Sequence, residues 1–145
     1  MVKAYFDTNV VVAGYVESHS QHYLAFEAIL DAYVGRLSGV VLAHGLAEIY
    51  SVMTRTPFEP RVSPREAWEM LKDNVLEKFE IVHLTTAEHS DAIRICADAG
   101  WPGGRIHDVL HLKAARKAEC ERIYTFDVRH FRQLAPDLAD IIVAP

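Results

Sequence analysis

The 145-residue chain is long enough for one domain whose hydrophobic core needs no disulfide staples, and we expect residues 1–145 to form that single domain. Half of the residues are hydrophobic, yet no apolar stretch approaches the roughly 20 residues of a membrane-spanning helix. The net charge of −5 argues weakly against a general nucleic-acid-binding protein.

Strands and helices are predicted to alternate along the whole chain. The predicted strands cover residues 2–6, 37–43, 80–84, 122–126 and 141–143. The predicted helices cover residues 8–15, 20–35, 44–55, 63–79, 85–100, 107–118 and a short segment through 131–134, and Ser20, Ser63 and Thr85 act as N-caps. This alternation implies a three-layer α/β/α sandwich around a mostly parallel sheet.

Two of the predicted strands are each followed directly by an aspartate. Asp7 comes after the apolar run 2–6, and Asp127 comes after the run 122–126. In open α/β sheets, ligands bind outside the carboxyl ends of the strands, so both acids are expected at one functional edge. Converging carboxylates are best suited to holding a hard divalent cation.

Each aspartate also has a purely structural explanation. Asp7 and Asp127 precede helices and suit N-caps, and Asp108 lies in the first turn of its helix, where the helix dipole favours an acid. Asp108 lines up with the apolar stripe that faces the sheet, so a functional role is favoured there. A functional role is also favoured for Asp7, because Thr8 and Asn9 supply further oxygens beside it.

For Asp127 the two explanations remain close to even. Thr125 lies two residues before it and therefore on the same face of the strand, where the pair could position a water or a metal.

The remaining polar candidates carry weaker signals. Periodicity predicts a solvent-facing position for Glu48, because the apolar stripe of its helix lies elsewhere. His107 and His111 have a spacing that can bind zinc, but with no third ligand they are better interpreted as surface or core histidines. His44 and His130 lie near the proposed edge, where they could assist proton transfer.

The cysteines and the basic residues give only broad indications. Cys96 and Cys120 have no metal-binding spacing and are expected to be buried thiols, which together with the absence of a leader pattern predicts a cytoplasmic protein. Residues 105–132 carry a local charge of +3. Lys113 and its neighbours there form either a solvated helix face or a track for phosphates.

The four acidic segments, taken together, resemble the PIN domain, in particular the VapC-type ribonuclease toxins of bacterial toxin–antitoxin pairs. They read Phe-Asp-Thr-Asn-Val at 6–10, His-Gly-Leu-Ala-Glu-Ile-Tyr at 44–50, Gly-Arg-Ile-His-Asp-Val-Leu-His-Leu-Lys-Ala-Ala at 104–115 and Tyr-Thr-Phe-Asp-Val-Arg-His-Phe at 124–131. The resemblance covers nearly the whole chain, with the segments in the family's order.

This resemblance implies a central sheet of four or five parallel strands and a metal-dependent endoribonuclease that leaves a 5′-phosphate. The acidic quartet around Mg²⁺ or Mn²⁺ would be Asp7, Glu48, Asp108 and Asp127. Thr125 and Asn9 would play supporting roles. The implied partners are an RNA substrate, a cognate antitoxin and a second copy of the chain in a homodimer. Trp68, beyond the segment 56–63, either faces an antitoxin helix or packs in the core.

Three other function classes remain as alternatives. An aspartyl-phosphate phosphatase also has an acid after its first strand, but it needs a second acid where this chain has Asn9. The pair His107–Asp108 suggests a His-Asp metal phosphohydrolase, although those proteins are helical. A non-catalytic PIN-like RNA-binding or scaffold module usually loses acids, whereas here all four are present.

Overall fold

The computed structural model describes all 145 residues, Met1 to Pro145. It contains five strands: β1 (Val2–Phe6), β2 (Leu37–Leu42), β3 (Glu80–Val82), β4 (Arg122–Tyr124) and β5 (Ile142–Val143). The α-helices are α1 (Thr8–Tyr15), α2 (His22–Tyr33), α3 (Ala43–Arg55), α4 (Pro64–Met70), α5 (Thr86–Ala99), α6 (Arg105–Lys117) and α7 (Val128–Leu134). A π-helical segment, Leu71–Leu76, continues α4, and a 3₁₀ helix, Pro136–Ile141, precedes β5.

The five strands form one sheet in the order β3-β2-β1-β4-β5, and every neighbouring pair is parallel. β1 is central, since Tyr5 pairs with Val40 of β2 on one side and with Ile123 of β4 on the other. From β1 the chain adds β2 and then β3 on one side of the sheet, and it later adds β4 and β5 on the other side. The direction in which strands are added therefore reverses next to β1. Ligands of such sheets bind at the carboxyl ends of the strands at this reversal.

Helices cover both faces of the sheet, which confirms the predicted three-layer sandwich. On one face, Phe6 and Val41 pack against apolar side chains of α1–α4. On the other face, Tyr5 and Ile123 pack against α5–α7. Adjacent residues of β1 therefore enter opposite cores, as the alternation of side chains along a strand requires.

Local capping signals position several helix starts as predicted. Ser63 and Thr85 each accept a hydrogen bond from the backbone N–H of the glutamate three residues later, and that glutamate accepts one from the cap's own N–H. Gly100 ends α5 in the left-handed conformation at φ 71°. The predicted Ser20 cap is wrong: α2 begins at His22, because residues 19–22 form a turn closed by a 3.0 Å hydrogen bond from His22 N–H to His19 O.

Four strands are shorter than predicted: β2 ends at Leu42 and β4 ends at Tyr124, and β3 and β5 are also shortened. β3 ends at Val82, where the last residue of its partner β2, Leu42, is paired. β5 begins at Ile142, because the six preceding residues form the 3₁₀ helix. None of the helices has the length and apolar character needed to cross a membrane. Both cysteines are free thiols, Cys96 buried and Cys120 half-buried.

The basic residues of α6 are committed to ion pairs with neighbouring elements. Lys113 binds Asp91 of α5 at 2.7 Å, and Lys117 binds Glu88 of the same helix at 2.7 Å. Arg116 makes two hydrogen bonds to Asp137, at 2.6 and 2.8 Å. The basic side chains on this face of α6 therefore link α6 to neighbouring helices, and they are not free to bind phosphates.

Candidate active site

Asp7 stands at the carboxyl end of the central strand, where it caps α1. Its Oδ1 accepts a 2.8 Å hydrogen bond from the Thr8 backbone N–H, and its Oδ2 accepts a 2.9 Å hydrogen bond from the Thr125 hydroxyl. The residue is only 4% exposed. Burial raises the pKa of Asp7 above its ordinary value, although His111 and these two hydrogen bonds oppose the shift. The N-cap interpretation of Asp7 is therefore confirmed, and its role as a site residue stays a prediction.

Thr125 ties the ends of two neighbouring strands together. Its hydroxyl donates to Asp7 and accepts a 3.0 Å hydrogen bond from the Asp127 backbone N–H. Asp127 occupies the N-cap position of α7, but its side chain makes no capping hydrogen bond. The N-cap explanation for Asp127 is thus wrong, and its exposed carboxylate is left free to bind a ligand.

Asp108 lies in the first turn of α6 and faces Asp127 across the pocket. Ligand atoms of Asp108, Asp127 and His130 all lie within 4.8 Å of one another. His130 Nε2 is 3.1 Å from Asp108 Oδ2. Burial raises the pKa of Asp108, and the charges of Asp7 and Asp127 raise it further, against the opposing effect of His130. The raised pKa of Asp108 therefore reflects burial first and the neighbouring carboxylates of Asp7 and Asp127 second.

Glu48 joins the cluster through the buried side chain of His111. His111 Nε2 lies 2.8 Å from Glu48 Oε1 and 3.8 Å from Asp7 Oδ1, while its Nδ1 is hydrogen-bonded to the Tyr5 hydroxyl. Burial alone would lower the pKa of His111, but Glu48, Asp7 and Asp108 outweigh it and raise the pKa. Burial alone would raise the pKa of Glu48, but the hydrogen bond with His111 and the charges of His111, His44 and His107 together outweigh burial and lower the pKa.

The structure corrects the predicted position of Glu48. Its side chain is only 25% exposed and points to His111, rather than out to solvent as the periodicity of α3 predicts. The apolar stripe of α3 does pack in the core, with Ile49 and Met53 buried, but the helix has a second neighbour in α6. Asn9 is exposed and makes no hydrogen bond to any of the four carboxylates, so its supporting role stays a prediction.

Two histidines, His111 and His130, lie among these acids: the sequence analysis placed His130 near the proposed edge, but it did not identify His111 as a site residue. His111 was expected to be a surface or core histidine, and it is indeed buried with polar partners at both ring nitrogens. Both residues follow an aspartate by three positions, in Asp108-x-x-His111 and Asp127-x-x-His130. Residues three apart share a helix face, so this repeated spacing is the signal that could have revealed them.

The donor atoms suit a hard divalent cation. Four carboxylates are present, and none of them forms an ion pair with a lysine or an arginine. Clustered like charges repel one another, and a cation bound among them removes that cost. Oxygen ligands fit Mg²⁺, and an added imidazole is compatible with Mn²⁺. The cluster can therefore hold a metal ion, and its donors do not select between these two.

Comparison with known proteins decides the family. The sequence model of the PIN domain matches residues 4–136, which is most of the chain. This chain belongs to the PIN domain family. The five parallel strands agree with that assignment, and they exclude the all-helical His-Asp phosphohydrolases.

Relatives of this PIN domain carry ribonuclease names. Ribonuclease VapC27 of Mycobacterium tuberculosis is 31% identical over 123 residues, which cover 85% of this chain and 83% of that protein. The crystal structure of M. tuberculosis VapC20, described as a sarcin-ricin loop cleaving toxin, has a TM-score of 0.71 at 16% identity, covering 91% of this chain and 95% of its own. Rickettsia felis VapBC2, solved with a promoter DNA fragment, has a TM-score of 0.64 at 16% identity over 99% of both chains. These two structures support the fold.

Proposed function

We propose that this PIN-domain protein is a Mg²⁺- or Mn²⁺-dependent endoribonuclease and the toxin of a toxin–antitoxin pair. The observation that supports the proposal is a group of ligand atoms from Asp108, Asp127 and His130 that lie within 4.8 Å of one another. Asp7 is tied to this group through Thr125, and Glu48 is hydrogen-bonded to His111 beside Asp7. The ribonuclease names of its relatives point to the same activity. The proposal includes a cytoplasmic location, because that is where the protein would encounter cellular RNA.

In this proposal the cation is held by Asp7, Glu48, Asp108 and Asp127. When bound, the cation supplies an activated water for attack on a phosphodiester and stabilises the leaving oxygen. The chain's own groups hold the ligands in place: Thr125 and the Thr8 N–H fix Asp7, and His111 orients Glu48. Side chains that orient metal ligands in this way are worth about 10–100-fold in metal affinity or activity.

The antitoxin and the second protomer are also part of the proposal. Trp68 is 47% exposed, which resolves its two predicted positions in favour of the surface. It borders a groove of about 550 Å³ together with Tyr50, Pro64 and Arg65. Tyr23 on α2 and Val34, the residue that follows this helix, are apolar side chains that face solvent as well. Exposed apolar surface of this kind supports protein partners.

The direct test is cleavage of cellular RNA by purified protein, with mapping of new 5′ ends. We expect Mg²⁺-dependent cleavage by the wild type, no cleavage in EDTA, and loss of cleavage in folded Asp7→Asn and Asp108→Asn variants. Asp73→Asn is the matched control, because Asp73 is an exposed acid paired with Lys72. Unaltered cleavage in both site variants would refute the proposal.

A metal titration separates the nuclease from a non-catalytic module. Binding of Mn²⁺ to the wild type should raise its melting temperature, since a ligand that binds only the folded state stabilises it. Absence of both Mn²⁺ binding and cleavage would favour an RNA-binding or scaffold role instead.

A further inference from the structure

A groove of about 400 Å³ opens directly beside Glu48 and extends away from the acidic pocket. Four of its lining residues, His44, Glu48, Ser51 and Arg55, recur at intervals of three and four along α3, so they share one face of that helix. His107, in the first turn of α6, closes the other side. Glu48 lines this groove and is also hydrogen-bonded to His111, which lies beside Asp7, so the groove adjoins the acidic site.

Two histidine rings stack on each other at the end of this groove nearer Glu48. The rings of His44 and His107 are parallel to within 10°, with centroids 5.5 Å apart. Both residues are exposed, and neither side chain makes a hydrogen bond within the protein. The outer faces of the stacked rings and the ring nitrogens are therefore available to a ligand.

At the far end of the groove, Arg55 is a cation without a partner. It is exposed and forms neither an ion pair nor a hydrogen bond. Only three other arginines share this property, and two of them lie next to the site: Arg105 is three residues before Asp108, and Arg129 is two residues after Asp127. The remaining one is Arg65. Three of the four arginines without a partner, Arg55, Arg105 and Arg129, therefore belong to the segments that carry the site acids.

We propose that this groove binds a single-stranded nucleotide flanking the phosphate that is cut, with its base stacked on the His44–His107 pair and its backbone phosphate held by Arg55. This inference rests on the proposed function. Unpaired RNA bases stack on aromatic rings including histidine, and guanidinium groups bind phosphate through paired hydrogen bonds. Arg55 lies seven residues beyond Glu48 on α3, about 10 Å along the helix axis, which leaves room for the intervening nucleotide.

The groove suits RNA better than a protein segment. Only Ala47 and Val52 contribute apolar side chains to its walls, so a docked peptide would bury little hydrophobic surface there. An outer face of the stacked histidine pair favours a base with a free face, which a base-paired duplex does not offer. The expected preference is therefore for single-stranded over duplex RNA.

The test measures binding of a short fluorescent single-stranded RNA at several salt concentrations, with Mg²⁺ present and Asp7→Asn as the background that blocks cleavage. His44→Ala should weaken binding by about fivefold or more, as expected for the loss of one stacking partner. Arg55→Gln should reduce the slope of log K against log salt by about 0.7, the share of one phosphate contact on a single strand. Arg36→Gln is the matched control and should change neither, because Arg36 pairs with Asp31 and precedes β2 at the opposite edge.

Unchanged affinity and unchanged salt slope in both groove variants would overturn the proposal. Equal losses for duplex and single-stranded RNA would overturn the stacking assignment. Unchanged RNA binding together with lost binding of a hexaglutamate peptide would assign the groove to an acidic protein partner instead. Failure of the wild type to cleave any RNA would refute the proposed endonuclease activity. The proposal that the groove binds a nucleotide is tested separately, by the binding measurements alone.

Discussion

His111 Nε2 lies 2.8 Å from Glu48 Oε1, although 63 residues separate them in the chain. The opposite ring nitrogen, Nδ1, is held by the hydroxyl of Tyr5 on the central strand. Burial raises the pKa of Tyr5 far above its ordinary value, so the hydroxyl keeps its proton. The orientation of a carboxylate on α3 is thereby set from β1, through a buried imidazole on α6.

Removing the Tyr5 hydroxyl should weaken metal binding without touching a ligand. In Tyr5→Phe, His111 loses the partner that fixes its ring, and we expect Mn²⁺ affinity and RNA cleavage to fall by about 10–100-fold. Isothermal titration with Mn²⁺ checks the affinity directly. Tyr15→Phe is the control, because it removes a hydroxyl bonded to Tyr33 at 2.7 Å, outside the acidic cluster. Wild-type Mn²⁺ affinity in Tyr5→Phe would contradict the orienting role.

Thr125 should be replaceable by serine but not by valine. Thr125→Val keeps the shape but removes the donor to Asp7 and the acceptor for the Asp127 N–H, leaving buried polar groups unpaired at a cost of about 1–3 kcal/mol. Thr125→Ser keeps both hydrogen bonds. We expect urea unfolding to show the lower stability of the valine variant, and cleavage to fall in that variant alone. Equal stability of the two variants would argue against a stabilising role for the hydrogen bonds of the Thr125 hydroxyl with Asp7 and Asp127.

Asp108→Asn should stabilise the metal-free fold at alkaline pH while abolishing cleavage. The pKa of Asp108 is raised in the folded protein, so the folded state binds its proton more tightly than the unfolded chain does. The charged form therefore costs stability at pH values above the raised pKa, and this cost disappears below the ordinary pKa of about 3.9. The melting temperature of Asp108→Asn in EDTA should exceed that of the wild type at pH 8, and the difference should shrink as the pH falls toward 4.

Metal addition should reverse this order of stability. A cation at 100 times its Kd stabilises a folded protein by about 2.7 kcal/mol. Mg²⁺ should therefore raise the melting temperature of the wild type and have much less effect on Asp108→Asn. The control Asp73→Asn should respond to Mg²⁺ like the wild type. Equal Mg²⁺ responses in the wild type and Asp108→Asn would exclude Asp108 as a ligand.

Phe131 anchors the helix that carries His130. Its ring is 1% exposed in the core between the sheet and α5–α7. Phe131→Ala should cost about 3–5 kcal/mol, the range for truncating a buried phenylalanine. Urea unfolding measures this loss, and Gln133→Ala, an exposed change on the same helix, should leave the stability nearly unchanged. A loss below about 1 kcal/mol would mean that α7 is not held by this ring.

Much of the fold follows from local features of the sequence. Short apolar runs predict the buried parallel strands, and the capping boxes at Ser63 and Thr85 start their helices where predicted. The placement of Asp7 and Asp127 at one edge of the sheet follows from the same reasoning, because the carboxyl ends of parallel strands meet at that edge. These features can be predicted from the sequence because each depends on residues close together in the chain.

The partners of Glu48 and His130 were decided only by the tertiary structure. Helical periodicity reports which side of a helix faces the main core, and for α3 that side is the one with Ile49 and Met53. It contains no information about a second helix crossing the polar side, where α6 brings His111 against Glu48. A polar side chain meets its partner through the packing of distant elements, and that packing depends on the summed burial of both cores rather than on any pattern in one segment.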